Sequence, residues 1–183
     1  MALYPAVTLD ISLTDALVDL LAERTDIAIR TGPLKTSSLI ARKLGETART
    51  IVAAPSYLEQ YGQPRHVADL KSHNLLGFSY VRSEPGWTLS EDNHSAVVPV
   101  AGRVQISDGE GVRKLAVAGA GLAMLADFTV RDDVAAGRLA PVLSHCNTGD
   151  TEVFYAVYIG EGGPLPARIR VVLDFLSEHG RVR

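Results

Sequence analysis

The chain has 183 residues, 46% of them hydrophobic, and 18 Lys and Arg against 21 Asp and Glu give a formal charge of −3. A chain this long buries roughly 70% of its unfolded surface, which excludes a disordered polypeptide and allows one large domain or two small lobes. The acidic balance and scattered basic residues argue against duplex DNA as a direct ligand, because such binding is driven largely by phosphate neutralisation. No apolar run approaches the ~20 residues needed to span a bilayer. Cys146 is the single cysteine, so no disulfide can form within the chain, which suits a reducing compartment. The start, MALYPAVTLD, has no basic segment followed by an apolar core, and a cytoplasmic location is expected.

Val7–Leu13 (VTLDISL) alternates apolar and polar residues, the period of a half-buried strand. Thr14 is then placed to cap a helix over about Asp15–Ala22, with Asp15 near its positive end and Leu13, Leu17, Leu20 and Leu21 as its apolar stripe. The next strand, Asp26–Arg30, ends in a cation followed by the turn Thr31-Gly32-Pro33. Such β-α-β units favour parallel strands with a right-handed crossover. Ser37–Leu58 contains apolar runs around Leu39–Leu44 and Ile51–Ala54, the second ended by Pro55. Ser56 opens a short helix through Tyr61, closed by Gly62, and HVADLKSH reads as another short helix before the strand NLLGFSYV. Residues Arg82 to Asn93 are polar and interrupted by Pro and Gly, which predicts hairpin turns with Trp87-Thr88-Leu89 in one arm. AVVPV and GRVQIS are further short strands, and Pro99 fits an edge or a strand end.

Ser107–Phe128 is the best-defined unit. Asp108 is a candidate N-cap, Val112, Leu115 and Ala116 mark a buried helical stripe, and Gly119 or Gly121 can stop the helix with positive φ. Leu122–Leu125 is a short buried strand, and Asp127 caps a helix that Gly137 ends. EVFYAVY is a strand; Pro164 and Pro166 introduce a last helix whose buried face is Ile169, Val172, Leu173 and Leu176. The alternation of strands and helices argues an α/β fold.

Most catalytic signatures fail. GFSYV lacks the second glycine of a nucleophile elbow. GAGLAM carries Met124 where the third glycine of a dinucleotide fingerprint belongs, and it follows a helix rather than a strand. His66, His73, His94, His145 and His179 share no metal-ligand spacing, and the single cysteine is read as ruling out a thiolate zinc site. The paired acids of SEDN (Ser90–Asn93) and DGEG (Asp108–Gly111) read as a solvated turn and a helix cap, and Cys146 as an incidental residue of a polar loop. No catalytic residue, metal or cofactor is expected. What remains is a set of junctions rich in small and hydroxyl residues: Ser12-Leu13-Thr14, Thr31-Gly32, Ala54-Pro55-Ser56, Ser107-Asp108-Gly109 and Ala126-Asp127. In open α/β sheets ligands collect at the carboxyl ends of strands, and helix starts there attract anions. The same residues also serve as ordinary caps and turns, and composition does not decide between the two.

The stretch YPAVTLDISLTDALVDLLAERTDIAIRTGPLKTSSLIARKLGETARTIVAAPSYLEQYGQPRHVADLKSHNLL resembles the effector-binding domain of LysR-type transcriptional regulators. The resemblance continues through VQISDGEGVRKLAVAGAGLAMLADFTVRDDVAAGRLAPVL and VFYAVY to LPARIRVVLDFLSEH, essentially the whole chain. It implies a two-lobed, type II periplasmic-binding-protein-like α/β fold with two crossover strands. Lobe I would take residues 1–50 and 144–183, and lobe II residues 51–143. A small effector, with an organic anion favoured by Arg30 and the helix starts, would bind between them. Carried over position by position, its contacts fall on Ser12, Leu13, Thr14, Arg30, Thr31, Gly32, Ala54, Ser107, Asp108 and Gly109. Arg30 has a second reading, as the ion-pair partner of a nearby acid. Ser107 stands where an asparagine is common, which puts that hydrogen bond in doubt.

The family's proteins begin with a winged helix-turn-helix DNA-binding domain, and their effector domain has one more strand and helix before the YP. Neither is in this sequence, so the resemblance implies an incomplete lobe I. DNA would be reached only through the missing N-terminal domain. Two effector domains pair antiparallel in the family, which implies a homodimer or higher oligomer through helices near Asp15–Ala22 and Val112–Ala118. The competing reading is a solute-binding protein or a two-lobed enzyme of the same architecture. The former needs an export signal and the latter a nucleophile–base pair or a metal set.

Overall fold

The computed structural model describes residues 3–14, 19–32, 39–79, 86–100, 102–149, 151–160, 164–180 and 182. Expectations that fell on Asp15, Leu17, Pro33, Ser37 and residues 80–85 lie outside these. The chain packs as two units, one from Met1–Gly45 and Val153–Val182, the other from Glu46–Glu152. Two strands pass between them: β2 (Leu39–Ala53) leaves the first unit after Gly45, and β9 (Thr151–Ile159) re-enters it at Val153. The two apolar runs read from the sequence at 39–44 and 51–54 are thus ends of one strand of 15 residues.

The first unit begins differently from its sequence pattern. Val7–Leu13 is not a strand: residues 8–13 are exposed and without regular structure. Alternation makes a strand only where a neighbour offers its backbone, and no described pairing involves this stretch. The helix expected up to Ala22 is, in its described part, a turn that Asp19 caps. Asp19 Oδ1 accepts the N–H of Leu21 at 2.9 Å and of Ala22 at 3.2 Å. The turn closes where Thr25 donates to the Leu20 carbonyl at 2.9 Å, with Arg24 in the left-handed region at φ 51°. The proposed leucine stripe does not form, because Leu20 is buried while Leu13 and Leu21 are 93% and 70% exposed.

The remainder of this unit follows its periodicity. β1 (Ile27–Thr31) pairs antiparallel with β9, Ile27 opposite Tyr158 and Thr31 opposite Phe154. Ala156 and Tyr158 on one face of β9 pack with Leu44 of β2. Ile169 and Leu173, one turn apart on α4 (Ala167–His179), close that core, with Leu176 against it. Each such fully buried aliphatic side chain contributes about 1.5–3 kcal/mol. Salt bridges Arg42–Asp174 at 2.8 Å and Arg168–Asp26 at 3.2 Å sit on the exposed rim and add little.

The second unit is built on a mixed sheet buried on both faces. β7 (Leu122–Ala126) pairs antiparallel with β2 and parallel with β3 (Leu75–Phe78). β6 (Gln105–Ile106) extends it parallel to β3, and β8 (Ala140–Val142) pairs with β2. Successive residues of a strand point to opposite faces, so each continuous apolar run divides between two cores. Ile51, Ala53, Leu75, Leu122 and Met124 face Tyr57 of α1 (Pro55–Tyr61) and Leu70 of the 3₁₀ turn Val67–Ser72. Val52, Leu76, Ala123 and Leu125 face Val112 and Ala116 of α2 (Gly109–Val117) and Val130 of α3 (Asp127–Ala135).

β4 (Gly86–Glu91) and β5 (His94–Pro99) form a hairpin whose inner residues Trp87 and Leu89 seal the first of these cores. Asp92 and Asn93 at its tip both have positive φ, 50° and 62°, the backbone of a two-residue turn that matches strand twist. Of the two glycines that could end α2, Gly119 does so, with φ 77°. Gly121 has a different duty: a Cβ there would strike the Asn74 carbonyl oxygen, the acceptor of the Leu122 N–H at 2.9 Å. Asp127 does not cap α3 but is its first residue, and its carboxylate accepts the Thr50 hydroxyl. Cys146 lies not in a solvated loop but fully buried against the first core.

Candidate functional site

The junction residues occupy three kinds of place. In the first unit, Ser12, Leu13 and Thr14 lie on exposed chain without regular structure. Arg30 and Thr31 are the last residues of β1, opposite Tyr155 and Phe154 of β9. Gly32 continues that ladder, its N–H donating to the Val153 carbonyl at 3.2 Å, and then turns the chain with φ 78°. Arg30 is half-buried where the strand stops.

In the second unit, Ala54 is buried at the start of α1, and its carbonyl accepts the N–H of Tyr57 at 3.0 Å and of Leu58 at 3.2 Å. Ser107, Asp108 and Gly109 are brought together at the carboxyl end of β6, where α2 begins. Asp108 is the cap expected of it: its Oδ1 accepts the Gly111 N–H at 2.7 Å. That carboxylate already answers part of the helix's positive end, so an anion arriving there would compete with it. Ser107 is exposed.

Beside α2 lies a cluster of charged side chains. Asp133 is 2% exposed and accepts hydrogen bonds from Arg138 Nε at 2.5 Å and from Arg113 Nη1. Burial alone would raise its pKa, but the bonds from Arg138 and Arg113 outweigh it and hold the carboxyl below the usual range. Arg113 also donates to both oxygens of Glu110, which keeps the guanidinium more firmly charged than usual. The cluster ties α3 to α2 and thereby sets where the first turn of α2 sits.

A second polar corner was not legible in the sequence. At the end of β4, Glu91 Oε1 accepts from His66 Nδ1 at 3.0 Å, and Oε2 accepts the Val67 N–H at 3.2 Å. The Cys146 thiol donates to the same Oε1 at 3.9 Å. The bond from His66 holds the Glu91 carboxyl below its usual range, while burial, followed by the charge of Glu91, pushes the Cys146 thiol up. These residues come from three separated segments, and the only local signal was the adjacency of His145 and Cys146. Among the described residues, no helix is long and apolar enough to cross a membrane.

The sequence matches the description LysR substrate binding domain over residues 1–181. It is 34% identical over 175 residues to the HTH-type transcriptional regulator CrgA of Neisseria meningitidis, covering 96% of this chain and 58% of that protein. It is 31% identical over 176 residues to the HTH-type transcriptional activator AaeR of Escherichia coli, 96% of this chain and 56% of that one. The chain therefore spans less than two thirds of the length of these relatives. In three dimensions it matches the CrgA regulatory domain with a TM-score of 0.88 at 33% identity, over 97% of this chain and 86% of that one. The full-length Vibrio cholerae virulence activator AphB matches with a TM-score of 0.81 at 30% identity, over 98% of this chain and 60% of that one. Such regulatory domains have the two-lobed, type II periplasmic-binding-protein-like fold, as expected from the sequence.

Proposed function

The chain belongs to the LysR substrate-binding-domain family, and from that premise we propose that it senses a small organic effector on behalf of a transcription regulator. The effector, an organic anion in this reading, binds Ser12, Leu13, Thr14, Arg30, Thr31 and Gly32 of lobe I (residues 1–50 and 144–183) and Ala54, Ser107, Asp108 and Gly109 of lobe II (residues 51–143). Its binding shifts a pre-existing equilibrium by as much as it prefers one state over the other. The shift reaches DNA through the winged helix-turn-helix domain of a longer protein, in the cytoplasm, and the domain itself does no chemistry. Homodimerisation couples two such domains. Val112 and Ala116 of α2 are core residues, so α2 would present its other face to a partner.

The observation that carries the reading is Arg30, a half-buried cation closing β1 directly before the positive-φ turn at Gly32. Small carboxylates and aromatic compounds are screened against the protein by thermal shift, and the same screen is run on Arg30→Ala. A stabilisation of several degrees by one class, lost in the variant, is the expected result. A stabilising carboxylate that Arg30→Ala binds equally well would remove Arg30 from the site. No stabilisation by any class would leave the fold without this function.

A further inference from the structure

The hairpin corner at Glu91 belongs to none of the positions given to effector binding. There, we propose, Glu91, His145 and Cys146 form a binding site for one borderline-soft divalent cation such as zinc, with His66 positioning the Glu91 carboxylate.

The ligand atoms of Glu91, His145 and Cys146 all lie within 4.8 Å of one another. Zinc bonds of about 2.0–2.3 Å in a tetrahedron place ligands roughly 3.3–3.8 Å apart. The Cys146 Sγ–Glu91 Oε1 pair, at 3.9 Å, is already close to that spacing, and His145, which is exposed, has to approach by no more than about 1.5 Å. The donor set is one sulfur, one imidazole nitrogen and one carboxylate oxygen. Thiolate and imidazole suit zinc and its neighbours rather than magnesium or calcium, which take oxygen donors. His145 and Cys146 sit on a short 3₁₀ turn, Ser144–Cys146, and Glu91 is pinned from two sides by His66 and the Val67 N–H. The carboxylate is thereby oriented before any cation arrives, the role outer partners play at metal centres.

Three protein ligands leave a fourth position. An open depression of about 540 Å³ adjoins the corner, lined by His66, Glu91, Asp92, Asn93 and His145 among others, so water or an exchanging ligand can fill that position. The thiol is buried and bonded to Glu91, with the negative charges of Glu91 and Asp92 acting on it. The rival account is that Glu91 serves only to fasten the hairpin to the Val67 turn and to Cys146. The two differ in what a metal does.

Cobalt(II), a spectroscopic substitute for zinc, is titrated into the reduced whole chain. Expected are the visible bands of a tetrahedral ion and a near-ultraviolet thiolate-to-cobalt band, both displaced by zinc. Cys146→Ser removes the thiolate band. His145→Gln, at an exposed position that leaves the fold intact by circular dichroism, weakens cobalt binding by roughly tenfold or more. No tetrahedral spectrum at saturating cobalt, or a spectrum and affinity unchanged in His145→Gln, would overturn the proposal.

Discussion

Asp133 joins α3 to Arg138, its Oδ1 accepting the Arg138 Nε–H at 2.5 Å while the side chain is almost wholly removed from water. Its other oxygen accepts from Arg113 of α2. Removing one member of a buried ion cluster leaves the others uncompensated, typically at a cost of about 3–5 kcal/mol. Arg138 is half exposed, with 53% of its side chain accessible, so water recovers part of that loss. Asp133→Asn is therefore expected to destabilise the chain by about 3 kcal/mol, read as a lower urea midpoint with an unchanged slope. A change below about 0.5 kcal/mol would make the cluster ornamental.

The same carboxylate sets an acid response. Its pKa in the folded chain lies below the unfolded value of about 3.9. The stability it contributes is complete above the unfolded value and is lost as pH falls through that value toward the folded one. Other carboxylates with lowered pKa, including Asp69 and Glu110, act in the same direction. The difference between wild type and Asp133→Asn is thus the informative quantity: it narrows as the solution is acidified from about pH 5 to pH 2. A difference constant over that range would assign the effect of the substitution to packing.

Gly121 stands where only hydrogen fits against Asn74. A Cβ there would strike the Asn74 carbonyl oxygen, and Asn74 Nδ2 donates to the Ala120 carbonyl at 2.6 Å in the same turn. Gly121→Ala must displace the backbone bond from Leu122 to Asn74, and a loss of about 1–3 kcal/mol is expected. Thermal melting measures it; an unchanged Tm would mean that the two segments separate freely.

Leu13 tests the opening segment. It is exposed although it sits in an alternating pattern that reads as a strand face. Leu13→Lys is expected to change stability by less than about 0.5 kcal/mol. A fall of about 2 kcal/mol or more in the urea-derived stability would place this leucine in a core.

How much was legible from the sequence varied with how local the deciding physics is. EVFYAVY, the strand begun at Leu122 and the α2 cap at Asp108 are settled within a few residues by period or side-chain oxygen and were legible, while the stop of α2 was narrowed only to Gly119 or Gly121, of which Gly119 takes the positive φ. Val7–Leu13 has an equally good period and no strand, because a period proposes a strand and only a neighbouring backbone completes it. The candidate effector positions were reached by resemblance and by junction chemistry. The Glu91 corner was not, because its members are brought within a few ångströms by the hairpin and two short turns.

The sequence by itself determined the class of this protein: alternating strands and helices in the order and wording of the LysR effector domain, a resemblance that implied two crossover strands without locating them. Local propensity and hydrophobic period carry that much because they act along the chain. Only the tertiary structure decided which alternating run finds a partner, which glycine is held by a turn and which by a neighbour's carbonyl, and that Cys146 is buried in a core with its thiol on Glu91. Those outcomes depend on atoms far apart in sequence that are adjacent only once the sheet has formed.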